Sequence, residues 1–177
     1  PALGCVSGDD DFADIAIGRF SANNPEQVAI QVNKTIDYEK NPDMDPDWME
    51  TYIGIGSNEV VSGDDGEKDY EHIQRIYTQR LEPSTYRNHR ENYAPSANLA
   101  TVIEHINAGA STIAYCGHGV STYFVTTGLS NDDVVALTNK KKLPFIVAAA
   151  CKTGAFHSTS TDCFGETWLR KENGGAI

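Results

Sequence analysis

The segment that most restricts the fold is residues 143–151, LPFIVAAAC, nine residues without a charge that end in a cysteine. A run this short cannot cross a membrane as a helix, which takes about 20 apolar residues. It fits a strand covered on both faces, and so predicts a central strand of a largely parallel sheet. Residues 111–116 (STIAYC) predict a second such strand. Both strands close on small-residue turns that carry a reactive side chain, Cys116-Gly117-His118-Gly119 and Ala150-Cys151-Lys152-Thr153-Gly154.

Around these two runs the chain alternates strand-like and helix-like patterns, which predicts a three-layer α/β domain with helices on both faces of the sheet. Residues 14–20 (DIAIGRF) alternate as a strand. Asn24-Pro25 supplies an N-cap and a first-turn proline for a helix over 25–40 whose inward face would be Val28, Val32 and Ile36. Pro42, Pro46 and the aspartates between them break that helix. A strand is expected over 50–56, followed by an acidic loop over 57–68. Helices are expected over 69–81, 96–108, 131–139 and 163–171, the second stopped by Gly109 and the third capped by Ser130 or Asn131. The stretch from 82 to 93 is polar and predicts no element.

Fourteen basic against 25 acidic residues give a net charge of −11, and a surface of that sign repels nucleic acid and anionic membrane alike. Four cysteines, with no Cys-x-x-Cys pair, are too few for a disulfide scaffold. The chain opens on Pro1 without a signal-like segment and closes on Gly174-Gly175-Ala176-Ile177, which has the form of a turn entering a strand. Both ends suggest that residues 1–177 are one subdomain of a longer protein.

The chemistry is concentrated at the two strand ends. Parallel strands joined by helical crossovers bring their carboxyl ends to one edge of the sheet, where ligands bind. If the two strands are neighbours, His118 and Cys151 enter one crevice. A thiol becomes a strong nucleophile as thiolate, and an imidazole both accepts its proton and holds the anion by charge. The N–H groups of Gly119 and Cys151 are candidate donors to an oxyanion. Taken singly, Cys151 has the bland reading of a small buried hydrophobe and His118 that of a loop residue; their joint placement sets the dyad level with those readings.

The ordered set of motifs resembles the gingipain-type cysteine peptidases, clan relatives of the caspases, and more closely their arginine-specific members. It comprises Tyr115-x-x-His118-Gly119, the apolar strand ending at Cys151 33 residues after His118, and the segments Ile17-Gly18-Arg19-Phe20-Ser21, Ile36-Asp37-Tyr38-Glu39-Lys40, Leu137-Thr138-Asn139-Lys140 and Cys163-Phe164-Gly165-Glu166. The resemblance covers nearly the whole chain. It implies a caspase-like fold and a secreted or cell-surface endopeptidase in which Cys151 is acylated by a peptide or protein substrate while His118 moves the proton. It also implies that Glu59, in Ser57-Asn58-Glu59, orients His118, and that Asp69 receives a substrate arginine. Asp69 has a competing reading as a helix N-cap. The loop from Glu59 to Asp69 is one residue shorter than in the arginine-specific pattern.

No cofactor is expected for the chemistry. Calcium, which the resembling family binds, has candidate carboxylates in Asp9-Asp10-Asp11, Asp43-Met44-Asp45-Pro46-Asp47 and Asp64-Asp65, although none has EF-hand spacing. Zinc on Cys116, His118, Cys151 and His157 lacks the usual knuckle spacing. Two other readings stay open: a peptidase fold without activity that serves as a binding module, and a thiol-dependent enzyme acting on a small molecule.

Overall fold

In the computed structural model, which describes residues 4–10, 12–60, 65–157 and 160–177, a four-stranded parallel sheet lies between helices. The order along the chain is α1 (Pro25–Lys40), α2 (Pro46–Met49), β1 (Thr51–Gly56), α3 (Asp69–Ile76), β2 (Asn88–Tyr93), α4 (Leu99–Ala108), β3 (Thr112–Cys116), β4 (Gly119–Val120), β5 (Tyr123–Phe124), α5 (Asn131–Ala136), β6 (Phe145–Ala149) and α6 (Phe164–Arg170). A π-helical turn, Tyr77–Leu81, extends α3. The sheet runs β2-β1-β3-β6, and β4-β5 form a separate antiparallel hairpin. The three-layer α/β expectation holds.

Alternation on the central strands builds two cores. Ile53, Ile55, Ile113 and Tyr115 face one side with Val102, Phe124, Phe164 and Trp168, while Tyr52 and Ala114 face the other with Ile73 and Tyr77. Each fully buried isoleucine of this kind contributes about 1.5–3 kcal/mol. Over the second core, α3 lies close against β1. A Cβ at Gly56 would stand 2.4 Å from the Tyr70 Cα, so only glycine lets the helix begin directly over the strand end.

Several elements depart from expectation. Residues 14–20 form no strand; Ile15, Ile17 and Phe20 are exposed, and alternation without a partner strand makes no ladder. The segment is tied down just beyond, where the Ser21 hydroxyl donates to Glu166 (2.6 Å) and the Arg170 guanidinium donates to the Ser21 carbonyl (3.0 Å). Helix α1 turns a polar side inward. Gln31 is buried and donates to the carbonyls of Ser21 and Gln27, and the Lys34 ammonium reaches the carbonyls of Trp168 in α6 and of Gly174 and Ala176 beyond it, whereas Val28 and Ile36 stay exposed. Within residues 1–177 strand β6 is an outermost strand of the sheet, with Phe145 60% and Val147 53% exposed. Its lack of charge is compatible with a central or an outer place, because strand order is set by the crossovers.

Strand β2, Asn-His-Arg-Glu-Asn-Tyr, carries no apolar signal and stands where the polar sequence predicts no element. It pairs in parallel with β1 along its whole length. His89 on β2 stacks on Tyr77 (4.1 Å between centroids), and its Nε2 lies 2.9 Å from the Tyr93 hydroxyl. Burial pushes its pKa below the ordinary 6.5, against the opposing pull of Glu91 and then Glu82. As pH falls through 6.5 the unfolded chain takes up this proton before the folded one, so stability declines on acidification until the folded ring also protonates. Urea denaturation at pH 7.5 and pH 5.5 checks this: the acid loss should be smaller in His89→Gln, and an equal loss in the variant would remove His89 as its source.

Candidate active site

Strands β1, β3 and β6 end level with one another. Gly56 stands opposite Cys116, and Cys116 opposite Ala149. The ladder then runs one residue into the turns, with the Ser57 N–H donating to the Cys116 carbonyl (3.0 Å) and the Gly117 N–H to the Ala149 carbonyl (3.3 Å). The two strands that carry His118 and Cys151 are therefore direct neighbours. From this one line leave three turns bearing Glu59, His118 and Cys151.

His118 and Glu59 meet through Nε2 and Oε2 at 2.8 Å. With the two side chains 67% and 58% exposed, solvent screens much of the Coulomb attraction. What the contact does is orient the ring: Nε2 is occupied and Nδ1 is left open. The backbone of His118 is held independently, because its carbonyl accepts from the Tyr115 hydroxyl (2.5 Å) and from the Val125 N–H (3.0 Å).

Cys151 is an exposed free cysteine. The Thr153 N–H donates to its carbonyl at 2.8 Å, which closes a tight turn around Lys152, a residue with φ of 62°. The His118 and Cys151 turns are packed together at Gly119, where a Cβ would stand 2.7 Å from Thr153 Cγ2 and 2.8 Å from the Cys151 carbonyl oxygen. The bond from Val125 N–H to the His118 carbonyl makes Gly119 and Phe124 the non-hydrogen-bonded pair of the hairpin, so the Gly119 N–H is turned away from β5. Among the described residues Glu59 is the polar partner of the His118 ring, and the Cys151 thiol is not hydrogen-bonded to it.

Asp69 is the first residue of α3 and not its N-cap, a place taken by Lys68, whose N–H donates to the Glu71 carboxylate (2.9 Å). The Asp69 carboxylate instead accepts from the Ser57 hydroxyl (2.6 Å) through Oδ2 and from the Cys116 thiol (3.4 Å) through Oδ1. Burial, and then the charge of Asp69, push the Cys116 thiol up to about 11, which keeps it protonated and inert at neutral pH. The parts that Ser57, Tyr115 and Thr153 play here go beyond what the sequence suggests; of the three only Tyr115, three residues before His118, carries a sequence signal.

Several of the carboxylates named for calcium are engaged within the protein. Asp45 Oδ2 pairs with Lys142 (2.8 Å) while its Oδ1 accepts from the Asp47 N–H, and Asp43 Oδ1 accepts from the Asp45 N–H. Asp10 accepts from the Phe12 N–H, and Asp11 and Asp64 lie outside the described residues. Among the described residues no group of three His, Cys, Asp or Glu is placed to hold a metal ion. A cavity of about 570 Å³ between α1 and the segments around Lys140 and Asn173 is lined by none of His118, Cys151, Glu59 or Asp69.

Comparison with known proteins agrees with this fold. The chain is 33% identical over 173 residues to gingipain R2 of Porphyromonas gingivalis, covering 97% of this chain and 23% of that protein. It is 28% identical over 170 residues to Lys-gingipain of the same organism, covering 94% of this chain and 10% of the relative. The crystal structure of the Arg specific cysteine proteinase gingipain R superposes with a TM-score of 0.87 at 32% identity, over 98% of this chain and 41% of that one. A complex of the pro- and mature domains of the Porphyromonas gingivalis enzyme gives the same TM-score. The chain thus spans less than half the length of these relatives. The model of peptidase family C25 matches residues 1–177, and the chain belongs to that family.

Proposed function

We propose that this chain carries the nucleophile and base of a cysteine endopeptidase, with Cys151 as nucleophile, His118 as proton carrier and Glu59 as the group that orients it. The observation that carries this reading is the single line of strand ends from which all three turns leave, with the His118 turn packed on the Cys151 turn at Gly119. Family membership supports it.

In the proposed reaction the Cys151 thiol gives its proton to Nδ1 of His118, the nitrogen that Glu59 leaves open, and the Sγ attacks the scissile carbonyl. The N–H groups of Gly119 and Cys151 receive the developing oxyanion, each donor worth about 3 kcal/mol in the transition state. Collapse of the intermediate breaks the C–N bond, His118 protonates the departing amine, and an acyl thioester remains on Cys151. Water, deprotonated by His118, then releases the acid and restores the thiol. Hydrogen bonds of such pairs often tighten only when substrate is bound, which accommodates the present separation of thiol and ring.

Asp69 is the proposed receptor for a basic side chain before the scissile bond. Each carboxylate oxygen takes one bond from within the protein, from Ser57 or Cys116, and retains lone pairs for a guanidinium fork, which matches a carboxylate better than an ammonium does. The arginine specificity named for the superposed gingipain R supports this assignment. The same family reading suggests a secreted or cell-surface protein.

Two experiments on the full-length protein test the proposal. Iodoacetamide should alkylate Cys151 at pH 6–7 faster than a free thiol, and His118→Ala should slow it by a factor of about 10 or more, while Cys116 stays unmodified. A Cys151 rate equal to that of a free thiol and indifferent to His118→Ala would leave a peptidase fold without its nucleophile, the binding-module reading. With peptide amides bearing arginine, lysine or leucine before the scissile bond, Asp69→Ala should lower kcat/KM for arginine by roughly 10²-fold or more, as loss of a desolvated charge partner does, and spare leucine; an arginine preference that survives the substitution would rule out Asp69.

A further inference from the structure

We propose that Tyr115 is a positioning residue for His118, acting through the histidine's own carbonyl; this role rests on the proposed function of His118 as the base. The Tyr115 ring is fixed before its hydroxyl does anything. It is 1% exposed and stacks on Phe124 at 3.8 Å with the planes 12° apart, inside the core that also holds Phe164. A hydroxyl on so buried a ring must find its partners within the protein.

Its partners saturate it. The hydroxyl donates its hydrogen to the His118 carbonyl at 2.5 Å, and it accepts from the Thr126 N–H at 3.3 Å, with Thr126 Oγ1 at 3.0 Å placed to donate to the remaining lone pair. The hydroxyl therefore ties the turn after β3 to the segment after β5. Gly117, between Tyr115 and His118, passes directly over this junction: a Cβ there would stand 2.9 Å from both the Tyr115 hydroxyl and Thr126 Oγ1. The gap admits no larger residue, so the path of the backbone into His118 is set by these two hydroxyls.

This matters because the imidazole itself has little else to hold it. Its ring is 67% exposed, and its polar partner is a Glu59 side chain that is exposed too. A ring in solvent is placed as well as its Cα is placed. Tyr115 and Val125 fix the carbonyl of His118 from the buried side, Glu59 sets the rotation of the ring from the open side, and the two together aim Nδ1. Loss of such aim by about 1 Å can cost a catalytic step two orders of magnitude without touching substrate binding.

Tyr115→Phe isolates the effect, since phenylalanine keeps the stack on Phe124 and removes only the hydroxyl. In the full-length protein it should lower kcat 10- to 100-fold, leave KM within twofold, and slow iodoacetamide alkylation of Cys151 in parallel. Thr126→Val should do the same to a smaller degree, which guards against a folding defect peculiar to position 115. In a His118→Ala background, Tyr115→Phe should change the alkylation rate no further. Slowed alkylation in His118→Ala beside an unchanged Tyr115→Phe and Thr126→Val would overturn the role of Tyr115 alone, as would equal changes in kcat and KM. An alkylation rate unaffected by His118→Ala would overturn this role and the dyad together.

Discussion

Everything at the sheet edge depends on the register of three parallel strands. Gly56, Cys116 and Ala149 stand on one line, and the residues that follow them are the first of the three turns that carry the candidate chemistry. Because side chains alternate along a strand, a slip of one residue in β3 would exchange Ile113 and Tyr115 for Ala114 and Cys116 between the two cores. Such a slip would expel two large side chains from a packed interior and would move His118 away from Glu59. The burial that stabilises the sheet and the geometry of the site are one constraint, and neither can be altered without the other.

Glycine at the ends of these strands turns register into proximity. Gly56 lets Tyr70 of α3 sit on the end of β1, which brings the first residue of the helix, Asp69, to the turn that holds Glu59; Gly119 lets the carbonyl of Cys151 approach the turn after β3. In both places a methyl group would stand well inside contact distance of backbone atoms, which have no rotamer by which to move aside. Close approach of backbones explains why small residues flank each reactive one, a pattern that the amino-acid sequence displays on its own.

Legibility in the sequence follows the physical signal available. The β1 and β3 strands and the helices α1, α4, α5 and α6 are readable because period and caps coincide, as at Asn24-Pro25 and at Ser130, whose hydroxyl and N–H both engage Asp133. The turns of His118 and Cys151 are readable as the ends of two apolar runs; that the runs are direct neighbours comes from the ladder between them. Strand β2 is not, since its side chains are polar and its pairing is supplied by β1, a partner far along the chain. The reverse holds at residues 14–20, where alternation is present and a partner strand is absent among the described residues. For α1 the apolar stripe names the wrong face, because the surface it meets includes carbonyls of α6 and of the segment after it, which Lys34 satisfies and a valine cannot. Asp69 reads equally well as a cap; only the bond from Lys68 N–H to Glu71 shows that the helix is capped by another group.

Ser57 joins the parts that the sequence presents separately. Its N–H donates to the Cys116 carbonyl and its carbonyl accepts from the Tyr70 N–H, while its hydroxyl donates to Asp69 and accepts from the Glu59 N–H at 3.1 Å. One small residue thereby binds β3, the start of α3, the carboxylate of Asp69 and the backbone of Glu59. A glutamate in a loop with no such anchor would sample many positions, and its contact with His118 would be too brief to orient anything. Because Asp69 and Glu59 share this anchor, the group proposed to read the substrate and the group proposed to aim the base are fixed relative to one another by the same four hydrogen bonds. In the proposed reading, a basic side chain that engaged Asp69 would be registered against His118 through Ser57.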